Sequence, residues 1–440
     1  MKNARIRRVV KAGKTLLIDG PASIIMLSGK ATVLGAPIGP EEKVLVRFGK
    51  RMPFFFLEDS ELEALLGDSA SIMELEGETV PQSWKEAARY VISKSPRLVL
   101  VMGGVDSGKT SLCTYLANLA ILHGYKVAAI DGDLGQSDIG PPATVGLSLL
   151  ERPVTDLFVT KPYSMIFIGS TTPSRACDEV VEALTVLTRR AEEAGADLTV
   201  LNTDGWVSGE DAVEYKVRLV EKTSPEIILA LEEKGELTPI ISTLKDVEVL
   251  RIEPPETIRR RSREVRKSLR EMAYKKYLKD AKVRVFNLNW VRLEGDPIMR
   301  LLGLRCTPDQ ERLTELKEVL GAPPIYYGET LDKAFLLLDR CLNKETRAKL
   351  ELYFKKPVVI LRRGDESGRL LGLKDSRGNL LGIGVLCNID PKRRIIRVYT
   401  RVTGTVSSIH IGEVRLNTEG KEIEYPSGKS LKPKPTDINL

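Results

Sequence analysis

The stretch Leu98-Val99-Leu100-Val101-Met102-Gly103-Gly104-Val105-Asp106-Ser107-Gly108-Lys109-Thr110-Ser111 decides how the chain is read. Its first five residues are an unbroken apolar run, the pattern of a strand buried on both faces. Gly103 to Thr110 then match G-x-x-x-x-G-K-[ST], a phosphate-binding loop when it follows a strand and opens a helix. Each fixed residue has a chemical reason. The glycines let backbone N–H groups curl around phosphate oxygens, Lys109 reaches the β- and γ-phosphates, and the Thr110 hydroxyl suits Mg²⁺. The helix that follows, ending near Gly124, adds its positive end. Gly103, Gly104, Val105, Asp106, Ser107, Gly108, Lys109, Thr110 and Ser111 are therefore the expected nucleoside triphosphate site.

Outward from the loop, apolar runs recur at Val127–Ile130, Met165–Ile168, Leu198–Leu201, Ile227–Leu231 and Val247–Leu250. Helical patterns lie between most of them. One is Cys177 to Glu193, with Val180, Leu184, Leu187 and Ala191 on one face. Strands alternating with helices predict an α/β P-loop domain over 95–280, its parallel sheet covered on both sides. Residues 1–94 read as a small β-rich domain, with strands near 15–18, 23–27 and 43–48 and a helix from Ser83. Residues 281–440 read as an α+β domain with strands near 358–361, 380–386 and 395–399 and a turn at Ser376–Asn379. Its basic tail from Ser427, with Lys429, Lys432 and Lys434, looks frayed.

Composition narrows the chemistry. The 440 residues carry 67 Lys+Arg against 60 Asp+Glu, a surplus of +7, with 42% hydrophobic and 29% charged residues. These are values of a globular chain that buries a core. His123 and His410 are its only histidines, which disfavours a histidine-rich metal site or relay. Cys113, Cys177, Cys306, Cys341 and Cys387 form no CxxC pair, so a disulfide framework and a zinc ribbon are not expected. A reducing cytoplasm fits. No signal peptide or membrane span is expected. Glutamine occurs only at Gln82, Gln136 and Gln310, and scarce Gln with abundant Lys, Arg and Glu points to a heat-adapted source.

Four further segments bear on chemistry. Asp131-Gly132-Asp133-Leu134-Gly135-Gln136 follows a strand, where Asp131 and Asp133 either bind Mg²⁺ and accept a proton or form a solvated Asp-Gly turn. Asp204 competes for the metal role. Gly169-Ser170-Thr171-Thr172-Pro173 suits either phosphate contacts or a helix N-cap. In Asn202-Thr203-Asp204-Gly205-Trp206, the indole either stacks on a base or packs under its loop. The most basic stretch, Arg259 to Arg270, is a lid over phosphate, a nucleic-acid surface or a solvated face.

Together these segments, in this order, resemble the polynucleotide 5′-hydroxyl kinases of the Clp/Grc type, whose eukaryotic members serve RNA processing and whose archaeal members are shorter kinases. The resemblance covers most of the chain. It implies transfer of the γ-phosphate of ATP to the 5′-hydroxyl of single-stranded RNA, and also of DNA, with Mg²⁺ or another divalent cation and with RNA-processing proteins as partners. It implies that Lys109, Asp133, Arg261 and Arg266 carry catalysis, and that Thr110, Asp131 and Asp133 hold the metal. Asp133, Gln136, Thr171, Thr172 and Trp206 would grip the nucleic-acid end. The family's clasp usually has an Asn three residues after its Pro. Here that position is Ala176, with Arg175 beside it.

Two rivals are a non-catalytic ATP-bound scaffold and a regulatory GTPase. Arg261, Arg266 and Asp133 are all present, against the first. The guanine-reading Asn-Lys-x-Asp is absent from the α/β region, since Asn343-Lys344-Glu345-Thr346 lacks the Asp and lies outside it.

Overall fold

The computed structural model describes residues 4–295, 310–329, 331, 333–364 and 366–423. Cys306 and the basic tail lie outside the described residues. The chain divides into two compact units. One is built up to Tyr274 together with Arg377–Leu380, the other from Lys275–Ser376 and from Leu381 onward.

The first unit opens with strands β1 (Ala4–Val10), β2 (Lys14–Asp19), β3 (Ala22–Ser28), β4 (Ala31–Val33), β5 (Ala36–Ile38), β6 (Lys43–Val46), β7 (Arg51–Phe56), β8 (Ser60–Leu66) and β9 (Ser71–Glu76). They form two sheets, ordered β1-β8-β3-β6 and β5-β4-β7-β2-β9. Alternate residues such as Ile24 and Met26, or Phe54 and Phe56, point into one shared core. Helix α1 (Gln82–Lys94) leads to β10 (Leu98–Gly103), α2 (Lys109–Leu122) and β11 (Val127–Asp131).

The α/β sheet continues with β12 (Thr144–Leu150), β13 (Ser164–Phe167), α3 (Cys177–Glu193), β14 (Leu198–Asn202), α4 (Glu210–Thr223), β15 (Ile227–Leu231), α5 (Thr238–Ile241) and β16 (Glu248–Ile252). Its order is β13-β12-β11-β14-β10-β15-β16. Strands β11, β14, β10, β15 and β16 are mutually parallel. β12 departs from the expected all-parallel sheet, because it runs antiparallel to both β11 and β13, leaving β13 in the same direction as the other strands. The link from Asp131 to Thr144 contains no helix, so the chain turns back beside β11 rather than crossing over.

The apolar run of β10 serves both faces. Leu98, Leu100 and Met102 enter the core under α3 and α4, while Val99 and Val101 enter the core under α1 and α2. That two-sided burial is why the strand carries no polar alternation. The expected apolar face of α3, with Val180, Leu184, Leu187 and Ala191, is buried as read. Helix α6 (Arg263–Tyr277) follows the sheet.

The second unit carries β17 (Lys282–Asn287), β18 (Arg292–Gly295), α7 (Gln310–Leu320), β19 (Tyr326–Glu329), β20 (Ala334–Leu338), α8 (Lys344–Phe354), β21 (Val358–Arg362), β22 (Arg369–Lys374), β23 (Leu380–Asp390), β24 (Ile395–Thr400) and β25 (Ser408–Arg415). A six-stranded sheet, β17-β24-β23-β22-β25-β18, accompanies a three-stranded one, β19-β20-β21. Phe335 and Leu337 of β20 face one core, and Leu336 and Leu338 face the other. Asn343 is the N-cap of α8 and accepts from Thr346 N–H at 2.8 Å, so the Asn-Lys-Glu-Thr run is a helix start. No helix among the described residues is long and apolar enough to cross a membrane.

Candidate active site

Loops leave β10, β11, β13 and β14 at one edge of the seven-stranded sheet, the carboxyl ends where open α/β sheets bind ligands. In the phosphate loop, Gly108 sits at φ 102° as the N-cap of α2, a conformation that excludes a side chain at little cost only for glycine. Lys109 is buried, and its ammonium donates to Gly104 O at 2.7 Å. Burial lowers its pKa, and the Asp133 carboxylate opposes that shift.

The two aspartates of Asp131–Asp133 have different surroundings. Asp131 is fully buried. Its Oδ1 accepts from Asn202 Nδ2 (2.9 Å) and Asp133 N–H (3.2 Å). Its Oδ2 accepts from Asp138 N–H (2.5 Å) and Ile139 N–H (3.4 Å). Burial, with the nearby Asp138 and Asp133 charges, pushes it up to about 7. Asp133 is half-buried, and its Oδ1 accepts from the N–H groups of Gly135 and Gln136, both at 3.0 Å. Burial raises its pKa while Lys109 pulls the other way. Asn202, which has no role of its own in the sequence reading of the 202–206 segment, joins the two loops. Its Nδ2 also donates to Thr110 Oγ1 at 3.3 Å, and its Oδ1 is buried without a hydrogen bond.

Asp204 does not face the phosphate loop as a free carboxylate. Its Oδ1 accepts from Trp206 N–H (2.9 Å), and its Oδ2 accepts from Tyr215 OH and from the fully buried Lys216 Nζ, both at 2.8 Å. Trp206 stacks on Tyr215 with ring centroids 5.8 Å apart and an angle of 23°. The indole is thus half-buried, with one face already packed. A Cβ on Gly205 would stand 2.7 Å from Val105 Cγ2 and 2.8 Å from Val105 N, so only glycine lets the Trp206 loop lie against the phosphate loop.

The 169–173 loop also reaches this edge. A Cβ on Gly135 would lie 3.1 Å from Thr171 O, which sets Thr171 and Thr172 beside the Asp133 loop. Thr172 N–H donates to Ser170 Oγ at 3.3 Å, and Thr172 Oγ1 lies 3.1 Å from Ser174 Oγ. Ala176 is packed in the core under α3, while Arg175 is exposed.

The basic stretch splits into a non-helical entry, Arg259–Ser262, and α6. Asp106 of the phosphate loop holds it. Arg261 N–H donates to Asp106 Oδ2 at 2.9 Å, and the guanidinium groups of Arg261 and Arg266 lie 3.9 and 3.6 Å from the same carboxylate. Arg261 Nε donates to Gly49 O at 2.9 Å. Gln136 Nε2 donates to Gly135 O (2.7 Å) and Arg266 O (3.1 Å), so its amide nitrogen ties the Asp133 loop to α6.

An ion-pair clamp supports the Asp131 loop from the N-terminal strands. Arg47 bonds Asp138 and Asp156 at 2.7 Å each, and Lys50 bonds Asp138 at 2.7 Å. Burial would raise the Asp138 pKa, but Lys50 and Arg47 outweigh it and hold the carboxyl well below the usual range. A depressed folded pKa stabilises above the unfolded carboxylate value and is lost only as pH falls through the folded one. The clamp should therefore contribute evenly across neutral and mildly acidic pH. Asp138→Asn, which leaves Asp156 as the only carboxylate shared by Arg47 and Lys50, should cost about 3–5 kcal/mol in denaturant melts. A loss under ~1 kcal/mol would show that Asp156 suffices.

A phosphate loop, with the Asp133 loop at the same edge of a covered α/β sheet and with Arg261 and Arg266 gathered on Asp106, has the parts of a P-loop phosphotransferase. The family described as mRNA cleavage and polyadenylation factor CLP1 P-loop matches residues 103–280. A polyribonucleotide 5′-hydroxyl-kinase of Pyrococcus furiosus is 34% identical over 352 residues, covering 78% of this chain and 95% of its own length. One of Methanocaldococcus jannaschii is 31% identical over 338 residues, 75% and 90% of the two chains. The chain belongs to this Clp1-type polynucleotide kinase family, as its motifs implied. The solved Clp1p in complex with Pcf11p shares the fold, with a TM-score of 0.66 at 14% identity over 94% of this chain and 98% of that one. These archaeal relatives agree with the heat-adapted composition.

Proposed function

We infer that this chain is an ATP-dependent polyribonucleotide 5′-hydroxyl kinase, transferring the γ-phosphate of ATP to the 5′-hydroxyl of RNA. The observation that carries this reading is the half-buried Asp133 carboxylate on the loop after β11, at the same sheet edge as the phosphate loop that holds Lys109, in a chain of this family. Phosphoryl transfer needs positioning and charge stabilisation more than covalent chemistry. Lys109 and the loop amides hold the β- and γ-phosphates. Asp133 orients the 5′-hydroxyl and takes its proton as the O–P bond forms, and its raised pKa brings it nearer to a base's working range. Arg261 and Arg266 leave the Asp106 carboxylate for the transferring group. Incubating a 5′-hydroxyl RNA with ATP and Mg²⁺ tests the whole reading. Absence of γ-phosphate transfer at the source's working temperature would overturn it.

The residues present fit a divalent cation. Thr110 Oγ1 and the unbonded, buried Asn202 Oδ1 lie on side chains that hydrogen-bond each other, with Asp133 on the neighbouring loop. Such a cation would neutralise the β- and γ-phosphate oxygens. Asp131, expected as a ligand, has both oxygens taken by four N–H donors. It acts instead by aiming the Asn202 amide. Asn202→Ala should lower the affinity for a fluorescent ATP analogue about 10-fold in Mg²⁺. In EDTA it should change little. Equal affinities in Mg²⁺ would remove Asn202 from the cation's surroundings.

Trp206 offers its free face to the terminal base, beside Thr171 and Thr172. Trp206→Ala should raise the RNA KM by about 5- to 150-fold, the loss of one stacked base, with a smaller change in kcat. An unchanged KM would leave Trp206 a packing residue. Stacking reads no sugar, so 5′-hydroxyl DNA is proposed as a second acceptor, tested beside RNA. ATP over GTP is tested in the same assay. Association with RNA-processing proteins, tested by co-purification, extends the family resemblance.

A further inference from the structure

The second unit carries an exposed tryptophan that the kinase chemistry does not use. Trp290 is 83% exposed, whereas Trp84 is buried and Trp206 half-buried. An indole left in water has a large apolar surface available for a partner.

Its setting is ordered. Trp290 N–H donates to Asn287 O at 3.0 Å and Val291 N–H to the same oxygen at 3.1 Å, while Asn289 N–H donates to Asn287 Oδ1 at 2.8 Å. This turn is tied to the β23–β24 turn. Leu288 N–H donates to Arg394 O at 2.8 Å, and the Arg394 guanidinium returns bonds to Asn289 Oδ1 and Leu288 O, each at 3.1 Å. The tie brings Trp290 to the same corner as Lys392, Arg393 and Arg394.

Charge at this corner is cationic. Lys392 and Arg393 are exposed, and Asp390 is engaged by Arg393 N–H at 3.0 Å. Glu294 is neutralised by Arg292 and Lys374. The surface continues along β17, the sheet's edge strand, where Val283 and Val285 are 56% and 57% exposed and Arg397 stands opposite Val285. The Arg393 guanidinium also lies 3.9 Å from Asp390, an exposed pair worth little in water, so a flat aromatic face beside the exposed Lys392 and Arg393 fits successive bases and phosphates of a single strand.

We propose that this corner, Trp290 with Lys392 and Arg393, binds the body of single-stranded RNA, separately from the phosphate-transfer site of the first unit. The proposal rests on RNA being the acceptor. A long chain then gains affinity from this contact, whereas a dinucleotide, which lacks the extra nucleotides, does not. Arg394 acts by holding the Trp290 turn in place.

The full-length chain is titrated with a fluorescent long single-stranded 5′-hydroxyl RNA, and its phosphorylation of a 5′-hydroxyl dinucleotide is measured in parallel. Trp290→Ala should weaken long-RNA binding about 10-fold, and Trp290→Phe should restore most of it. Lys392→Ala with Arg393→Ala should lower the slope of log affinity against log salt by about 1.4, two phosphate contacts at ~0.7 each. Dinucleotide phosphorylation should stay at the unsubstituted level, which also reports that the variants fold. Unchanged long-RNA affinity and salt slope would overturn the proposal. So would loss of a co-purifying protein with RNA binding intact, which would make the corner a protein-docking surface. Failure of the kinase reading is seen apart, as absence of dinucleotide phosphorylation by the unsubstituted chain.

Discussion

Replacing Lys109 with Met should lower γ-phosphate transfer by at least ~10³-fold, the range for removing a charged group from a developing phosphoryl centre. Lys109 is buried, and its ammonium lies in the phosphate loop against Gly104 O. In this low-dielectric place a positive charge acts on transferring oxygens with little screening. Methionine keeps the apolar stem, so the fold should hold. The measurement is single-turnover transfer at saturating ATP, with a melting curve as the folding check. The loss should fall on kcat, because the charge matters most where negative charge is redistributed. A variant within ~10-fold of the parent would mean that the loop amides and a cation carry the charge alone.

The second large effect is expected at the lid. Arg266→Ala should reduce kcat by about 10³-fold with little change in RNA KM, as an arginine supplied in cis to a transferring phosphoryl group does. Arg266→Lys should recover only part, since a point charge lacks the planar fork. Arg261→Ala should cost as much or more, because Arg261 also bonds Gly49 O. Asp106→Asn separates the two jobs of that carboxylate. Its amide oxygen still accepts from Arg261 N–H, but the charge that draws both guanidinium groups is gone. If Asp106 orders the arginines, combining Asp106→Asn with Arg266→Ala should be less than additive in kcat. Full additivity would show that the lid is positioned without Asp106.

Much of this was legible in the chain itself because the signals are local. An apolar run, a glycine-rich loop and a helix adjoin one another in sequence, so their order alone predicts strand, turn and helix. The aspartates, the Trp206 loop and the lid arginines were visible for the same reason, each as a short motif at a strand end. The roles of their neighbours were not visible. Asp131 and Asp133 are two residues apart and look alike, yet one is enclosed by four N–H donors and the other is half-buried with charge partners across the site. Asp204, in sequence a competitor for the metal role, has its Oδ2 engaged by Tyr215 and Lys216 of α4, eleven and twelve positions on. Asn343, already set apart from a guanine site by its missing Asp, caps α8.

The shortage of histidine also had a structural meaning beyond its count. His123 sits at the end of α2 opposite Lys109, and His410 belongs to the second unit, where burial and Lys374 lower its pKa to about 4. On the proposed reading, a carboxylate is left as the base.

The sequence by itself determined the nucleotide-binding loop, the α/β alternation and the residue types available for phosphoryl transfer, because strand burial, glycine geometry and charge are properties of neighbours along the chain. Only the tertiary structure decided which carboxylate is enclosed, that Asn202 joins Thr110 to Asp131, that Gly205 must be small beside Val105, and that Asp106 gathers the lid arginines. Three of the Asp131 donors lie within eight positions of it, but their placement is set by the fold, and the other assignments join residues tens to more than a hundred positions apart. Burial and hydrogen-bond competition at such contacts, not residue type, set what each polar group is free to do.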